Sequence, residues 1–255
     1  MIRLSACIEM IYRELPIEER IARVAAMGLP AFEFWSWTNK DLPAIAQARA
    51  QHNLLVSSFA YGSPGAIVDP ANQAAFLKHF DGVAAAADTL DCRTVIVTVG
   101  QQMPEVGREQ QHAAIVSALA ALAPRARQNG MTIVVEPLNV LINHKGYYLS
   151  TSEESFQIIE EVGSPAIKVL FDVYHQQITE GNLINNLTTY FDKIGHFHIA
   201  DNPGRHEPGT GEINYANVLR AIDDLGYGGF IGLEYRPKSD ADASLKQSKA
   251  IAGLA

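Results

Sequence analysis

The sequence predicts an α/β protein that forms a single (β/α)8 barrel, the TIM-barrel architecture, over residues 1–255. Eight β-type apolar runs alternate with stretches of helical periodicity. Several runs are apolar at almost every position, as is typical of parallel strands covered on both faces. The length suits one such barrel, and no linker or low-complexity segment divides the chain into further domains. An open doubly wound sheet is the alternative, but no GxGxxG motif follows the first strand to support a dinucleotide site.

The predicted strands are short and regularly spaced. In order, they cover residues 2–8, 31–35, 54–59, 93–99, 132–136, 167–172, 194–199 and 229–235. The fourth, fifth and sixth contain the near-continuous apolar segments VIVTV, IVV and IKVLF. Such segments indicate strands buried between the barrel interior and an outer layer of helices.

A helix is predicted after each strand. These helices cover residues 17–27, 41–51, 73–90, 109–128, a segment starting near 152, and then 183–191, 215–225 and 242–251. Asn129-Gly130 is a stop signal for the fourth helix. Ser152, followed by Glu153 and Glu154, resembles a helix start with acidic residues in the first turn. Asn214 is a plausible N-cap for the seventh helix.

Composition indicates an ordinary soluble globular protein. The hydrophobic fraction is 47% and the charged fraction 19%, which allows a large core. No apolar run approaches the roughly 18 residues that a membrane helix needs, and the N-terminus lacks the apolar segment of a signal peptide. Cys7 and Cys92 lie inside apolar runs and are interpreted as buried thiols. We therefore expect a cytoplasmic protein without a membrane partner.

The charge balance argues against nucleic-acid binding. The chain has 20 basic and 28 acidic residues, a net charge of −8, and shows no basic stripe. A small anionic metabolite remains compatible with this charge, because a local cation in a cleft can outweigh a weak global field. The expected partner is therefore a small molecule, and the sequence leaves open whether the protein is a homo-oligomer.

Four consecutive late strands each bring a carboxylate or an imidazole to the rim where barrel active sites lie. These residues are Glu136, Asp172, His198 and Glu234. One such carboxylate alone could simply cap a helix, but three at one rim repel each other unless they are protonated, separated or neutralised. A divalent cation is the economical solution, and an oxygen-rich ligand set favours Mg²⁺ or Mn²⁺.

Histidines and a glutamate surround this predicted metal site. His196 and His198 point to the same side of strand seven, and His198 is nearer the rim, which favours it as the ligand. His196 is then a core residue or a support for the ligand. His175 follows Asp172 by three positions in the loop, and this spacing fits a substrate contact and a plain loop histidine equally well. Glu33 ends the second strand and is expected to support the site.

The loop after strand seven contains a single arginine, Arg205. We expect it to grip a substrate carboxylate or hydroxyls. The alternative is an exposed arginine paired with Glu207. Aromatic residues after strands two and three could form the mouth of the site or be plain packing: Trp35, Trp37, Phe59 and Tyr61.

The motifs EPLN, FDVYHQ, HFHIADNPGRHEPGTGEINY and GxIGxEYxP together resemble the hydroxypyruvate isomerase family. That family is part of the xylose-isomerase-like barrel superfamily, which also contains ketose 3-epimerases. The resemblance implies that Glu136 and Glu234 bind the metal and act as the acid/base pair. It also implies that Asp172 and His198 complete the ligand set. His175 and Arg205 match substrate-binding positions of the epimerases.

The resemblance implies an isomerase that works through a cis-enediolate. It would interconvert the ketone and aldehyde forms of a small α-hydroxy-carbonyl acid, such as hydroxypyruvate and tartronate semialdehyde, or a 2-oxo-tetronate. Some hydroxypyruvate isomerases have glutamine where this chain has His198 and the epimerases have histidine, so a ketose 3-epimerase acting on a free sugar is the alternative. A metabolite-binding barrel without catalysis is disfavoured because Glu136 and Glu234 are both present. A repair endonuclease would need more histidine ligands and a basic face.

Overall fold

The computed structural model describes residues 1–254 and shows a closed barrel of eight parallel strands in this range, which confirms the predicted fold class. The strands are β1 (Leu4–Cys7), β2 (Ala31–Phe34), β3 (Leu55–Ala60), β4 (Thr94–Val97), β5 (Thr132–Val135), β6 (Ile167–Asp172), β7 (Ile194–Ile199) and β8 (Ile231–Leu233). Each strand pairs with the next in chain order, and β8 pairs with β1 to close the barrel. All carboxyl ends of the strands therefore meet at one rim.

Helices connect the strands and form the outer layer. They are α1 (Ile17–Ala26), α2 (Leu42–Gln51), α3 (Gln73–Leu90), α4 (Arg108–Gln128), α5 (Ser152–Val162), α6 (Val173–Thr179), α7 (Leu183–Thr189), α8 (Tyr215–Asp224) and α9 (Ala241–Ile251). Short 3₁₀ turns lie at Pro70–Asn72 and Phe191–Lys193. The described helices include none long and apolar enough to cross a membrane.

Side-chain caps explain where several helices start. Asn214 accepts a hydrogen bond from the backbone N–H of Asn217 at 3.1 Å, which confirms it as the N-cap of α8. The cap of α5 is Thr151, whose hydroxyl accepts from the N–H of Glu154 at 3.3 Å. The helix thus begins at Ser152, as predicted, but its cap is Thr151, one residue before the serine expected in that role.

The core lies between the strands and the helical layer, and a smaller cluster fills the barrel itself. Ile96, Val134 and Leu170 form this inner cluster, on three neighbouring strands. Cys7 and Cys92 are both free and buried, as the sequence predicted. Apolar side chains thus fill only part of the barrel interior, which also holds buried polar residues such as Glu33 and His196.

The clearest difference from the predicted elements is α6. Asp172 ends β6 and at once caps α6, accepting hydrogen bonds from the N–H groups of Tyr174 at 2.8 Å and His175 at 3.2 Å. The prediction that His175 lies in a loop is therefore wrong. A helix of seven residues is too short for its periodicity to be visible in the sequence. The helix holds His175 rigidly against the site.

Candidate active site

Four side chains from the ends of β5 to β8 converge at the rim of the barrel. Glu136, Asp172, His198 and Glu234 each offer one donor atom, and these atoms all lie within 4.8 Å of one another. Nδ1 of His198 is 3.8 Å from Glu136 and 3.4 Å from Glu234, and it has no hydrogen-bond partner among residues 1–254. Three carboxylates around one unpartnered imidazole nitrogen form a donor set that fits a divalent cation. These buried groups could hold a metal ion.

A second layer of polar groups lies beneath this cluster, inside the barrel. Glu33 on β2 accepts hydrogen bonds from Ser57 and Ser58, both at 3.0 Å, and pairs with Nε2 of His196 at 3.1 Å. Its other oxygen lies 3.1 Å from Nε2 of His198. Burial opposes ionisation of Glu33, but the two histidines lower its pKa to about 2. The Glu33 carboxylate therefore places a negative charge beside the edge of the His198 ring that points away from the cluster.

Gly232 on β8 makes this layer possible. A Cβ at position 232 would lie 2.1 Å from Oε1 of Glu33 and 2.6 Å from the His198 ring, so only glycine fits. The expectation that Glu33 supports the site, and that His196 lies below His198, thus matches where these residues lie.

The pKa values of the four clustered groups are strongly shifted. Burial and, to a lesser degree, the charge of Glu234 raise the pKa of Glu136 to about 7. Burial also raises the pKa of Asp172. Burial acts the same way on Glu234, but Arg205 and His198 outweigh it and lower the pKa of Glu234 below its usual range. Two neighbouring carboxyl groups with opposite shifts are the arrangement that acid/base catalysis requires.

His175 is fully buried on the wall of the same site. Its Nε2 lies 3.6 Å from Asp172, too far for a hydrogen bond, and has no partner among the residues described. Burial and the nearby Arg205 lower the pKa of His175 well below its usual range, so the ring is neutral. A buried N–H that faces a cavity without an acceptor indicates a place for a ligand oxygen.

Arg205 reaches the cluster from the loop after β7. Its guanidinium contacts Glu234, lies 3.8 Å from Asp172, and is stacked 5.1 Å from the ring of Tyr174. The residue adopts a positive φ of 57°, and backbone hydrogen bonds from Arg205 to Asp201 and from Arg236 to Arg205 hold it there. The alternative pairing of Arg205 with Glu207 is not what the structure shows.

A cavity of about 320 Å³ is lined by Glu136, His175, His198, Arg205 and Glu234. Its other walls are Trp35, Ala60, Ile96, Thr98, Leu138 and His144. The indole N–H of Trp35 donates to Glu234 at 2.7 Å, while Trp37 donates to the carbonyl of Tyr61 and lies outside this cavity. Phe59 is fully buried, so of the four aromatic residues only Trp35 lines the cavity.

Two other hollows help to define the site. A second cavity of about 330 Å³ shares Ala60, Ile96 and Thr98 with the first and extends along the loops after β3 and β4. A larger hollow of about 690 Å³ lies beside α1 and α9, but none of the four clustered donor residues lines it. The 320 Å³ cavity is therefore the candidate active site, because convergent polar groups with shifted pKa values line it.

Sequence reasoning missed several residues of this site. Asn139 contacts His175, the ring of Tyr174 lies against Arg205, and His144 lines the cavity. Asn139 belongs to the EPLN motif, and Tyr174 to FDVYHQ, so their position beside predicted ligands was the available signal.

The family model for the xylose isomerase-like TIM barrel matches residues 21–251 of this chain. The chain is 33% identical to the hydroxypyruvate isomerase of Escherichia coli strain K12 over 256 residues, or 96% of this chain and 98% of the relative. It is also 33% identical to a 2-oxo-tetronate isomerase of Cupriavidus necator over 260 residues, or 99% of this chain and 100% of the relative. Both similarities cover nearly the whole length of this chain and of the relative.

A solved structure of similar form is described as an AP endonuclease, family 2, from Brucella melitensis. The TM-score is 0.92 with 28% sequence identity, over 97% of this chain and 98% of that chain. The barrel with its connecting helices is thus shared almost completely.

Proposed function

The chain belongs to the xylose isomerase-like TIM barrel family, and from that premise we propose that it is an isomerase of the hydroxypyruvate isomerase type. It interconverts the ketone and aldehyde forms of a small α-hydroxy-carbonyl acid, hydroxypyruvate or a 2-oxo-tetronate. The observation that carries the proposal is the convergence of Glu136, Asp172, His198 and Glu234 in one buried cluster at the edge of the cavity. The names of two relatives that are 33% identical support the substrate class.

We infer that these four side chains bind a divalent cation, Mg²⁺ or Mn²⁺. Three carboxylates and one imidazole form a ligand set dominated by oxygen, which suits these ions better than a structural zinc site. When bound, the ion would polarise the carbonyl and neighbouring hydroxyl oxygens of the substrate and so acidify the adjacent C–H bond. It would also neutralise carboxylates whose mutual repulsion otherwise favours protonation.

Glu136 and Glu234 are proposed to move the proton. One glutamate removes a proton from the carbon that carries the hydroxyl group, and the C–H electron pair becomes the double bond of a cis-enediolate. A proton is then returned to the neighbouring carbon, and the hydroxyl proton passes from one oxygen to the other, so no atom is gained or lost. The opposite pKa shifts of the two glutamates support such an exchange.

Arg205 and His175 are proposed to hold the substrate. Arg205 places a guanidinium on the cavity wall, and it would neutralise the substrate carboxylate. The unpartnered Nε2 of His175 would donate to a substrate oxygen. A cavity of about 320 Å³ accommodates an acid of three or four carbons together with these groups.

A ketose 3-epimerase is the second candidate, favoured by one observation. The adjoining cavity of about 330 Å³ shares Ala60, Ile96 and Thr98 with the first, so a longer neutral sugar could extend into it. In that reaction the proton returns to the opposite face of the same carbon.

Proton exchange measured by NMR in D₂O with Mg²⁺ separates the candidates. We expect solvent deuterium to enter hydroxypyruvate or a 2-oxo-tetronate, and exchange to stop when a chelator removes the ion. Exchange at C3 of a ketose without exchange in the acids would establish the epimerase instead. Full activity in a Glu234→Gln variant would contradict the acid/base assignment.

A further inference from the structure

Two donors of Asn139 converge on one nitrogen of His175. The backbone N–H of Asn139 lies 3.2 Å from Nδ1 of His175, and the side-chain amide nitrogen lies 2.6 Å from the same atom. Both residues are fully buried, and they are 36 positions apart in the chain. The contact therefore joins the loop after β5 to helix α6 at the wall of the cavity.

The orientation of the Asn139 amide follows from its other contacts. Its Oδ1 accepts hydrogen bonds from the backbone N–H groups of Ile142 at 3.0 Å and Asn143 at 3.2 Å. Its NH₂ group also donates to Oδ1 of Asn143 at 3.0 Å. A reversed amide would place an NH₂ group against two N–H donors, so the NH₂ group must face His175.

The protonation of the His175 ring follows in turn. A nitrogen that faces two N–H donors must accept, so Nδ1 has no proton and a neutral ring carries its proton on Nε2. Nε2 is buried, lines the cavity and has no hydrogen-bond partner within residues 1–254. The N–H bond on Nε2 is therefore free to donate to a ligand in the cavity.

We infer that Asn139 is a positioning residue that locks His175 in the Nε2–H tautomer, so that a neutral N–H donates to the substrate oxygen that gains negative charge during isomerisation. The part of this inference that concerns the substrate rests on the proposed function. A donor fixed before the reaction stabilises developing charge without having to reorganise. A proton on Nδ1 instead would leave a lone pair on Nε2 facing an electron-rich oxygen.

The test replaces Asn139 by aspartate. Asn139→Asp keeps an oxygen to accept from Ile142 and Asn143, but it places a carboxylate oxygen where an NH₂ group faced Nδ1. Asn143→Asp is the matched control, since it adds the same charge to the same loop and retains the acceptor that faces Asn139. The imidazole ¹⁵N resonances of the Mg²⁺-loaded proteins report the tautomer, with the His175 signals assigned from their loss in His175→Gln.

We expect Nδ1 of His175 to be unprotonated and Nε2 protonated in the unsubstituted protein and in Asn143→Asp. In Asn139→Asp, Nδ1 should become protonated, and kcat should fall about 100-fold. The dissociation constant for Mn²⁺ should stay within about threefold, which a general collapse of the loop would not allow.

A protonated Nδ1 in the unsubstituted protein would overturn the inference, whether or not any variant folds. An Asn139→Asp protein with the original tautomer and the original kcat would overturn it as well. Failure of the proposed function would look different: the unsubstituted enzyme would act on none of the hydroxy-keto acids, while the ¹⁵N spectra still showed the tautomer.

Discussion

Replacing Glu33 by glutamine tests how far the barrel interior supports metal binding at the rim. The carboxylate accepts hydrogen bonds from Ser57, Ser58 and His196 and lies 3.1 Å from Nε2 of His198. Glutamine has nearly the same size, but it removes the charge and puts an NH₂ group in place of one oxygen. That NH₂ group must face either the serine hydroxyls or a histidine ring, and the His198 ring loses the anion that lies beside it.

The structure sets the expected size of the effect. Glu33 is 2% exposed, so water cannot replace the missing charge, and its pKa of about 2 keeps it ionised in any ordinary assay. Loss of the group that orients a metal-binding histidine typically weakens metal affinity 10- to 100-fold, or ~1.4 to ~2.7 kcal/mol. We expect the dissociation constant for Mn²⁺ to rise within that range in Glu33→Gln.

Isothermal titration calorimetry with Mn²⁺ measures this constant. Glu154→Gln is the control, because Glu154 is also a paired glutamate but lies, partly exposed, with Arg108 and Tyr148 outside the barrel. Its affinity should stay within about twofold of the unsubstituted protein, since it touches none of the proposed ligands. A folded Glu33→Gln protein that bound Mn²⁺ as tightly as the control would refute the reasoning.

Three other predictions follow from the same geometry. Arg205→Ala should raise KM for an acid substrate about 10- to 100-fold through loss of a charge-assisted hydrogen bond, and an unchanged KM in steady-state kinetics would show that the carboxylate binds elsewhere. Metal affinity should increase with pH. The raised pKa values of Glu136 and His198 mean that protons occupy these donor atoms near neutrality. Each proton that the metal displaces makes the affinity rise about tenfold per pH unit. Calorimetry in two buffers of different ionisation enthalpy counts the released protons, and a count of zero would contradict this. Gly232→Ala should lower the free energy of unfolding by about 1–3 kcal/mol in urea titrations, because the new Cβ would lie 2.1 Å from Glu33. Equal stability of the variant would mean that Glu33 and the alanine move apart without cost.

Most of the fold could be predicted because each strand and helix has its own local signal. The apolar runs mark all eight strands, although β8 is shorter than predicted, with Ile231–Leu233 inside the predicted range 229–235. The predicted helix 183–191 ends earlier, at Thr189, where a 3₁₀ turn takes over. Helix α6 could not be found, since its seven residues complete fewer than two and a half turns and its cap, Asp172, was assigned to the metal site.

The contacts around the predicted ligands were harder to predict from the sequence. The sequence indicated that His196 and His198 share a face, because alternate residues of a strand point to the same side. It also indicated that His198 is nearer the rim, because it is closer to the carboxyl end of the strand. It could not indicate that both rings lie against Glu33, since His196 and Glu33 are 163 positions apart and no local pattern joins them. The EPLN motif alone could not indicate the role of Asn139, because that role depends on a histidine 36 positions away.

By itself, the sequence determined the barrel and the polar groups at its rim. Hydrophobic periodicity specifies each element locally, and parallel strands closed in chain order bring all their carboxyl ends to one side. Only the tertiary structure decided how those groups act. The pKa of Glu136 is raised and that of Glu234 is lowered by the balance between burial and charges from different strands. Which ring nitrogen of His175 carries the proton depends on Asn139, in the preceding βα unit. Electrostatics and hydrogen bonding act across space and not along the chain.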